Sequence, residues 1–436
     1  MRRLLPLVLL VAACSQNAAD RTDLSATPPV DSAAAPGALA GASTVAPPAN
    51  TDTTRQSPAA LPGTASGPSA GKDAGDGAPA AAPSAAAPSA GPDVRPAGAA
   101  DLPIVRGLYV NRFAAQSANR MRKLIGIADS TEINAFVIDV KDEFGLNIPS
   151  QDPLLQKNAG KAGVIPNVRQ LLDTLKAHDI LAVARIVVFK DSVAARANPD
   201  HVIRKTDGSA WRDKQGLAWV NPYDEAIWEY NFRVAEEAVR LGFGEIQFDY
   251  IRFPEPYKSL PTQVFPNQKG RSKPDVLAQF LRTANARFDK LNVRTTADIF
   301  GLVTTVGGAL EIGQEWEKIS PAVDVVLPMT YPSHYPRGAF GVARPNADPY
   351  RIQLTAIARA RQRDAKLGLT GERVRPWVQA FSLGQPKYDA SHVRDQMRGI
   401  YDAGYNGWVW WHPGSLYEPY LGALEKTLRP RAKVGQ

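Results

Sequence analysis

The sequence predicts a parallel α/β protein, and within that class a TIM (β/α)8 barrel over residues 101–436. Eight short apolar segments follow one another from Val105 onward, and most are separated by amphipathic segments of helical periodicity. Eight strand–helix units in about 330 residues match a TIM barrel better than a doubly wound sheet. A dinucleotide-binding sheet would also need a glycine-rich turn after its first strand, where this chain has AAQSANR.

The N-terminus has the features of a bacterial lipoprotein signal peptide. MRRLLPLVLLVAAC places two arginines before a short apolar run that ends in small residues and Cys14. The run is too short to span a bilayer as a stable helix. Cys14 is the only cysteine in the chain, so it has no partner for an intrachain disulfide. We expect residues 1–13 to be removed and Cys14 to carry lipid; the alternative is an ordinary signal peptide with an incidental Cys14.

Residues 14–100 are predicted to be a disordered linker. They consist mainly of Ala, Pro, Gly, Ser, Thr and Asp, and stretches such as AAPSAAAPSAGPDVRPAGAA cannot bury a core. A linker of this kind would hold the barrel away from a membrane. We therefore expect a lipid-anchored protein of the cell envelope, and the outer membrane in a Gram-negative cell because Ser15 follows the cysteine.

Charge and motifs exclude several other classes of protein. The formal net charge is +8, but no long Lys/Arg block or interleaved aromatic stripe suggests nucleic-acid binding. The five histidines show no HxH or HExxH spacing, so we expect no metal site and no cofactor. Ser333 and His334 are adjacent, but no GxSxG motif supports an esterase.

The strand predictions rest on short apolar runs rich in β-branched and aromatic residues, several of them ending in polar residues. In chain order the predicted strands lie within residues 105–113, 135–143, 181–189, 245–253, 294–302, 325–333, 374–382 and 405–413. The clearest helix between them follows the third strand. There Asn221 is the predicted N-cap, Pro222 lies in the first turn and Gly242 ends the helix.

Polar and aromatic side chains collect where these strands end, which is where a TIM barrel places its chemistry. Alternation along a strand predicts that Asp139 shares a face with Lys141, and Gln247 a face with Asp249. The strand-end residues that we select are, in chain order, Asp139, Lys141, Arg185, Gln247, Asp249, Arg252, Asp298, Tyr331, His334, Gln379 and Trp410.

Three carboxylates on neighbouring strands suit glycoside hydrolysis. One carboxyl group would protonate the leaving oxygen, and another would act as nucleophile or base. Arg185 and Lys141 could hold a carboxylate ionised or bind an anionic sugar, while tryptophan and tyrosine rings offer flat faces for sugar rings.

The same residues allow structural interpretations. Asp249 and Arg252 could form an ion pair at the barrel rim, and Asp139 could pair with Lys141 or Arg185. A barrel that binds envelope glycans without cleaving them is the alternative function.

Several strings resemble a bacterial glycoside hydrolase family first described as a domain of unknown function. They are WVNPYDEAIWEYNFRVAEEAVRLGFGEIQFDYIRFP, AFVIDVKDEFG and VLPMTYPSHY, and the resemblance extends over about residues 105–420. It implies a TIM-barrel hydrolase fold with a catalytic carboxylate at Asp249 on the fourth strand and a second at Asp298 on the fifth. The seventh strand ends in Gln379, which excludes the glutamate that many retaining barrel enzymes place there.

The resulting hypothesis is a tethered glycosidase that acts on a cell-envelope or extracellular polysaccharide. Asp249 is the predicted nucleophile or base and Asp298 the predicted acid. The remaining strand-end residues, Trp410 included, are predicted to bind substrate or to position these two carboxyl groups.

Overall fold

A computed structural model describes residues 102–432. The predicted signal peptide 1–13, the lipid on Cys14 and the linker 14–100 lie outside these residues and stay predictions. Each of the eight predicted segments contains one strand, which is shorter than the segment. The strands are β1 (Arg106–Val110), β2 (Ala135–Asp142), β3 (Leu181–Val187), β4 (Glu245–Asp249), β5 (Arg294–Phe300), β6 (Val325–Met329), β7 (Trp377–Gln379) and β8 (Trp408–Trp411).

These strands form a parallel barrel in chain order. They pair in the order β6-β5-β4-β3-β2-β1-β8-β7, and each of these pairs is parallel. A parallel bridge between Val326 and Val374 joins β6 to the residues just before β7 and completes the ring. The predicted TIM barrel is therefore confirmed.

Helices connect most of the strands, as the amphipathic segments predict. Within the described residues they are α1 (Arg112–Ala115), α2 (Ala118–Asp129), α3 (Pro153–Lys157), α4 (Val168–Ala177), α5 (Ser192–Ala197), α6 (Glu225–Leu241), α7 (Lys273–Asp289), α8 (Trp316–Ile319), α9 (Pro349–Lys366) and α10 (Ala390–Asp402). Across residues 102–432, none of the helices combines the length and the apolar character that a membrane crossing requires.

Helix α6 begins later than its sequence predicts. Its N-cap is Asp224, whose side chain accepts a hydrogen bond from the Ala226 N–H at 3.0 Å. The side chain of Asn221 instead accepts from the Tyr223 N–H in the preceding turn. Both residues have side chains suited to capping, so the local pattern alone could not distinguish them. Gly242 ends the helix with a φ of +121°, as predicted.

Side chains alternate across each strand and so form an inner and an outer apolar core. The inner core fills the barrel and includes Tyr109, Val137, Val183, Leu327, Trp377 and Val409. The outer core packs between the strands and the surrounding helices, and it includes Phe136, Ile186, Phe248 and Ile400. A polar residue on the inward face at the carboxyl end of a strand consequently reaches the mouth of the barrel.

An irregularity in β2 overturns the prediction that Lys141 shares a face with Asp139. The pairing register of β2 with β3 shifts between these two residues, so Lys141 lies opposite the outer-core residue Ile186. Its ammonium group contacts Asp191 Oδ2 at 2.6 Å and lies 5.1 Å from the Tyr230 ring centre on α6. Lys141 is therefore buried behind the barrel wall, because a bulge shifts the alternation by one residue.

Trp410 also points away from the barrel mouth. Its side chain is fully buried, stacks on Trp408 with ring centres 5.7 Å apart, and approaches Met397 Sδ of α10 at 3.4 Å. The predicted role of Trp410 in substrate binding is therefore wrong. Alternation places its neighbour Trp411 on the inward face instead.

The ion pair behind β2 provides a test of this geometry. We expect Lys141→Met to lower the free energy of unfolding by about 3–5 kcal/mol, because it leaves the carboxylate of Asp191 buried without its cation. Urea unfolding followed by tryptophan fluorescence measures the change. The double variant Lys141→Met/Asp191→Asn should recover most of the loss, since asparagine can still cap α5. A loss below about 1 kcal/mol, the level of an exposed pair, would contradict the burial of Lys141.

Candidate active site

A pocket opens at the carboxyl ends of the strands, where the sequence predicts the site. Its volume is about 620 Å³ when the part open to solvent is included. One part of its lining is charged and the other is mainly apolar. The lining residues are Arg185, Asp249, Tyr250, Arg252, Asp298, Ile299, Phe300, Gln314, Met329, Tyr331, Trp377 and Trp411.

Arg185 on β3 connects the carboxyl groups of the charged part. Its Nη1 donates to Asp139 Oδ1 at 2.5 Å, and its Nε donates to Asp249 Oδ2 at 3.0 Å. Its Nη2 also donates to Asp249 Oδ2, and Nε lies 3.9 Å from Asp298 Oδ2. The pairing register produces this arrangement, because Asp139, Arg185 and Gln247 lie side by side on β2, β3 and β4.

Asp298 on β5 is the most deeply enclosed carboxyl group of the pocket. Only 1% of the residue is exposed. Its Oδ1 accepts a hydrogen bond from Trp377 Nε1 at 2.7 Å, and Gln247 Nε2 lies 3.0 Å and 2.9 Å from its two oxygens. Burial raises the pKa of Asp298 well above its ordinary value, and the negative charge of Asp249 raises it further. Arg185 and the two N–H donors reduce this rise without cancelling it.

The two predicted catalytic carboxyl groups lie close together. Arg185 Nε is 3.0 Å from Asp249 Oδ2 and 3.9 Å from Asp298 Oδ2. These oxygens can therefore be no more than about 7 Å apart, the sum of the two distances. This upper limit falls within the separation of about 5 to 10 Å between the carboxyl groups that glycosidases use. Asp249 contacts Arg185 and so does not depend on a rim pair with Arg252.

Asp139 is a third buried carboxyl group that faces the barrel interior. It accepts a hydrogen bond from the Tyr109 hydroxyl at 2.6 Å as well as one from Arg185. Burial raises the pKa of Asp139, while Arg185 and Tyr109 oppose the rise. Burial would lower the pKa of Arg185, but the charges of Asp249 and Asp139 more than offset this and raise it above its ordinary value.

Aromatic rings form the other side of the pocket. Trp411 lies 5.7 Å from Tyr331, 6.1 Å from Tyr109 and 5.0 Å from Phe381, measured between ring centres. Trp377 meets Tyr109 edge to face at 6.2 Å. Rings held in this way offer flat apolar faces beside polar groups, which is the surface that a sugar ring fits.

Arg252 lies at the rim and not among the three carboxyl groups. Its guanidinium carbon is 4.9 Å from the Trp219 ring centre, 5.1 Å from that of Tyr250 and 4.9 Å from that of Phe300. It forms an ion pair with Glu255 at 3.2 Å. Arg252 thus ties the loops that follow β3 and β4 to the end of β5, and it lines one edge of the pocket.

Gln379 and His334 support the loop after β6. Gln379 is fully buried, and its Oε1 accepts a hydrogen bond from the Ser333 N–H at 3.1 Å. His334 Nδ1 lies 3.0 Å from the Ser333 hydroxyl, and burial lowers the pKa of His334 to about 4. Neither side chain is part of the pocket lining, whereas Tyr331 on the same loop is.

Several pocket residues escaped the sequence reasoning. Trp377 in the pocket and Tyr109 beside it are inward-facing strand residues, and the period of two along β7 and β1 could have identified them. Tyr250 and Gln314 lie in loops, where no periodic pattern predicts the direction of a side chain.

A TIM barrel with paired carboxyl groups in an aromatic-walled pocket at its strand ends has the architecture of many glycoside hydrolases. Residues 107–417 match the profile of a protein family described as "Putative glycosyl hydrolase domain". Because the match covers most of the chain, the protein belongs to this family. The expected family resemblance is thereby confirmed.

The fold is similar to that of a solved glycoside hydrolase domain. The PgaB (BpsB) glycoside hydrolase domain from Bordetella bronchiseptica has a TM-score of 0.52 and 16% sequence identity, and the similarity covers 72% of this chain and 95% of that chain. At this identity the likeness concerns the fold alone. A hypothetical protein from Ruminiclostridium thermocellum is 34% identical, with a TM-score of 0.40, over 44% of this chain and 96% of its own. No curated protein sequence matches the chain.

The raised pKa of Asp298 has a consequence for stability. Above a pH of about 4 the unfolded chain loses this proton while the folded protein keeps it, so stability falls as pH rises towards the folded pKa. We expect the free energy of unfolding of Asp298→Asn to exceed that of the wild type by at least about 1 kcal/mol at pH 7 and to differ little from it near pH 3. Urea unfolding at a series of pH values measures this difference.

The control is Asp207→Asn, because Asp207 is exposed and its pKa is lowered by hydrogen bonds from Ser209. The free energy of unfolding of this variant should show no gain over that of the wild type as pH rises. A gain for Asp298→Asn that is the same at every pH would contradict the assignment of a raised pKa to Asp298.

Proposed function

We propose that the protein is a glycoside hydrolase that acts on a cell-envelope or extracellular polysaccharide. The observation that carries the proposal is the pair Asp249 and Asp298, enclosed in one aromatic-walled pocket and connected through Arg185. Membership of a glycosyl hydrolase family supports the reaction class. The choice of an envelope polysaccharide rests on the N-terminal sequence, with its predicted signal peptide, lipid on Cys14 and linker.

The surroundings of the two carboxyl groups suggest different roles for them. Asp249 receives hydrogen bonds from Arg185 on Oδ2 and from the Tyr250 N–H on Oδ1, and such donors stabilise a negative charge. Asp298 is buried and its pKa is raised, so it keeps its proton to a higher pH than an ordinary carboxyl group does. Asp298 would then protonate the leaving oxygen of the glycosidic bond, while Asp249 attacks the sugar carbon or removes a proton from water.

The aromatic side of the pocket would hold the sugar. Stacking on Trp411 and Tyr331 would bury the apolar face of a ring and direct its glycosidic oxygen toward the opposite, charged side. Arg185 and Asp139 would position the carboxyl groups and not take part in bond cleavage. Arg252 would shape the rim through its contacts with three aromatic rings.

The direct test compares the wild type with Asp249→Asn on a panel of bacterial envelope and capsular polysaccharides. New reducing ends measure cleavage, and calorimetry measures binding. We expect the wild type to cleave at least one polysaccharide and Asp249→Asn to cleave it at least about 10³-fold more slowly while still binding it. The exposed substitution Asp207→Asn serves as the control and should cleave at the wild-type rate. Binding by both proteins without cleavage by either would establish a glycan-binding barrel instead.

Leaving-group dependence tests the role of Asp298. We expect Asp298→Asn to lower kcat/KM by about 10²–10⁴-fold on a polysaccharide, whose leaving alcohol needs a proton. On a dinitrophenyl glycoside of the same sugar the loss should be far smaller, because that leaving group departs without protonation. Rates on matched glycosides of rising leaving-group acidity measure the effect. An equal loss on every substrate would assign Asp298 to binding or positioning and not to proton donation.

A further inference from the structure

Tyr250, directly after the predicted nucleophile, has an unusual backbone conformation. Its φ is +52°, in the left-handed region that residues with a side chain seldom adopt. Residues held in such conformations are concentrated at functional sites, and they persist only where the surrounding structure restrains them strongly.

The conformation connects Tyr250 to Asp249. The Tyr250 N–H donates a hydrogen bond to Asp249 Oδ1 at 2.5 Å, while Arg185 donates to Asp249 Oδ2. Both oxygens of the carboxylate are therefore held, which restricts rotation of the group about its terminal bond. The Tyr250 carbonyl accepts from the Phe189 N–H at 3.3 Å, so the backbone of Tyr250 is fixed on both sides.

The side chain of Tyr250 is restrained by cations. Lys190 Nζ and the guanidinium carbon of Arg252 each lie 5.1 Å from its ring centre, within the distance of a cation–π interaction. Trp219 meets the ring edge to face at 6.0 Å. Lys190 is in turn held by Gln215, whose Oε1 accepts from its ammonium group at 2.9 Å. These contacts fix the ring and oppose relaxation of the backbone to an ordinary conformation.

We propose that Tyr250 is a positioning residue of the site: its ring, held by Lys190, Arg252 and Trp219, keeps its backbone left-handed so that its N–H orients the Asp249 carboxylate. The inference rests on the proposed glycosidase function for its effect on rate. It differs from a role in sugar binding, because the ring acts here through the backbone. The orientation of Asp249 matters most where the carboxylate meets the sugar carbon or a water molecule.

A matched pair of variants separates the backbone from the ring. Tyr250→Asn and Tyr250→Val both remove the ring and are of similar size, but asparagine tolerates the left-handed region and a β-branched valine does not. We expect kcat of the Val variant, measured on a polysaccharide that the full chain cleaves, to be about tenfold below that of the Asn variant, with similar KM values. Tyr250→Phe keeps the ring and should have the highest kcat of the three.

Equal kcat values for the Asn and Val variants would overturn the proposal, as would a Phe variant no faster than the Val variant. A difference between the Phe variant and the other two that is confined to KM would assign the ring to sugar binding and also overturn it.

A second measurement does not need catalysis. The protection factor of the amide of residue 250, which corrects for the intrinsic exchange rate of each residue type, should be at least about tenfold lower in the Val variant than in the Asn variant, because its hydrogen bond to Asp249 opens more often. Hydrogen exchange followed by NMR reports this amide directly.

This readout separates the two proposals. If the wild type cleaves no glycan but the exchange difference is found, the glycosidase proposal fails and the structural role of Tyr250 stands. If cleavage is found but the amide has the same protection factor in both variants, only the role of Tyr250 fails.

Discussion

One buried guanidinium, that of Arg185, holds the carboxyl groups of the site together at the mouth of the barrel. Three aspartates, on β2, β4 and β5, would repel one another in a space with so little water, and each would be costly to bury alone. Arg185 lies between them and contacts Asp139 and Asp249 directly. Its fixed, planar set of N–H donors can serve several carboxylates at once, which a lysine ammonium on a flexible stem does less well.

The hydrogen bonds and distances around Arg185 place the two proposed catalytic carboxyl groups in different electrostatic surroundings. Asp249 takes its hydrogen bonds from Arg185 and the backbone, so its charge is compensated at short range. Asp298 lies farther from the guanidinium, at 3.9 Å, and is more deeply enclosed by Gln247 and Trp377. Two carboxyl groups on adjacent strands thereby have different surroundings without any difference in residue type, and in the proposed mechanism this difference separates the acid from the base.

Two features of the pocket lower the stability of the fold and have no role in packing. A carboxyl group with a raised pKa is buried in β5, and the residue after β4 has a left-handed backbone. Local conflicts of this kind are expected where function and not stability selects a residue. Both features lie in the charged part of the pocket. The aromatic part is built from ordinary edge-to-face packing.

The amino-acid sequence by itself determined the barrel, the order of its strands and the position of Asp249 and Asp298 at strand ends, because hydrophobic periodicity and connection lengths are local properties of a chain. Only the tertiary structure decided which strand-end side chains meet. Lys141 and Trp410 face outward, one through a bulge and one through alternation, whereas Trp377 reaches Asp298 from a strand 79 residues away in the chain. A shift of one residue reverses the face of a strand residue, and local patterns do not fix that shift.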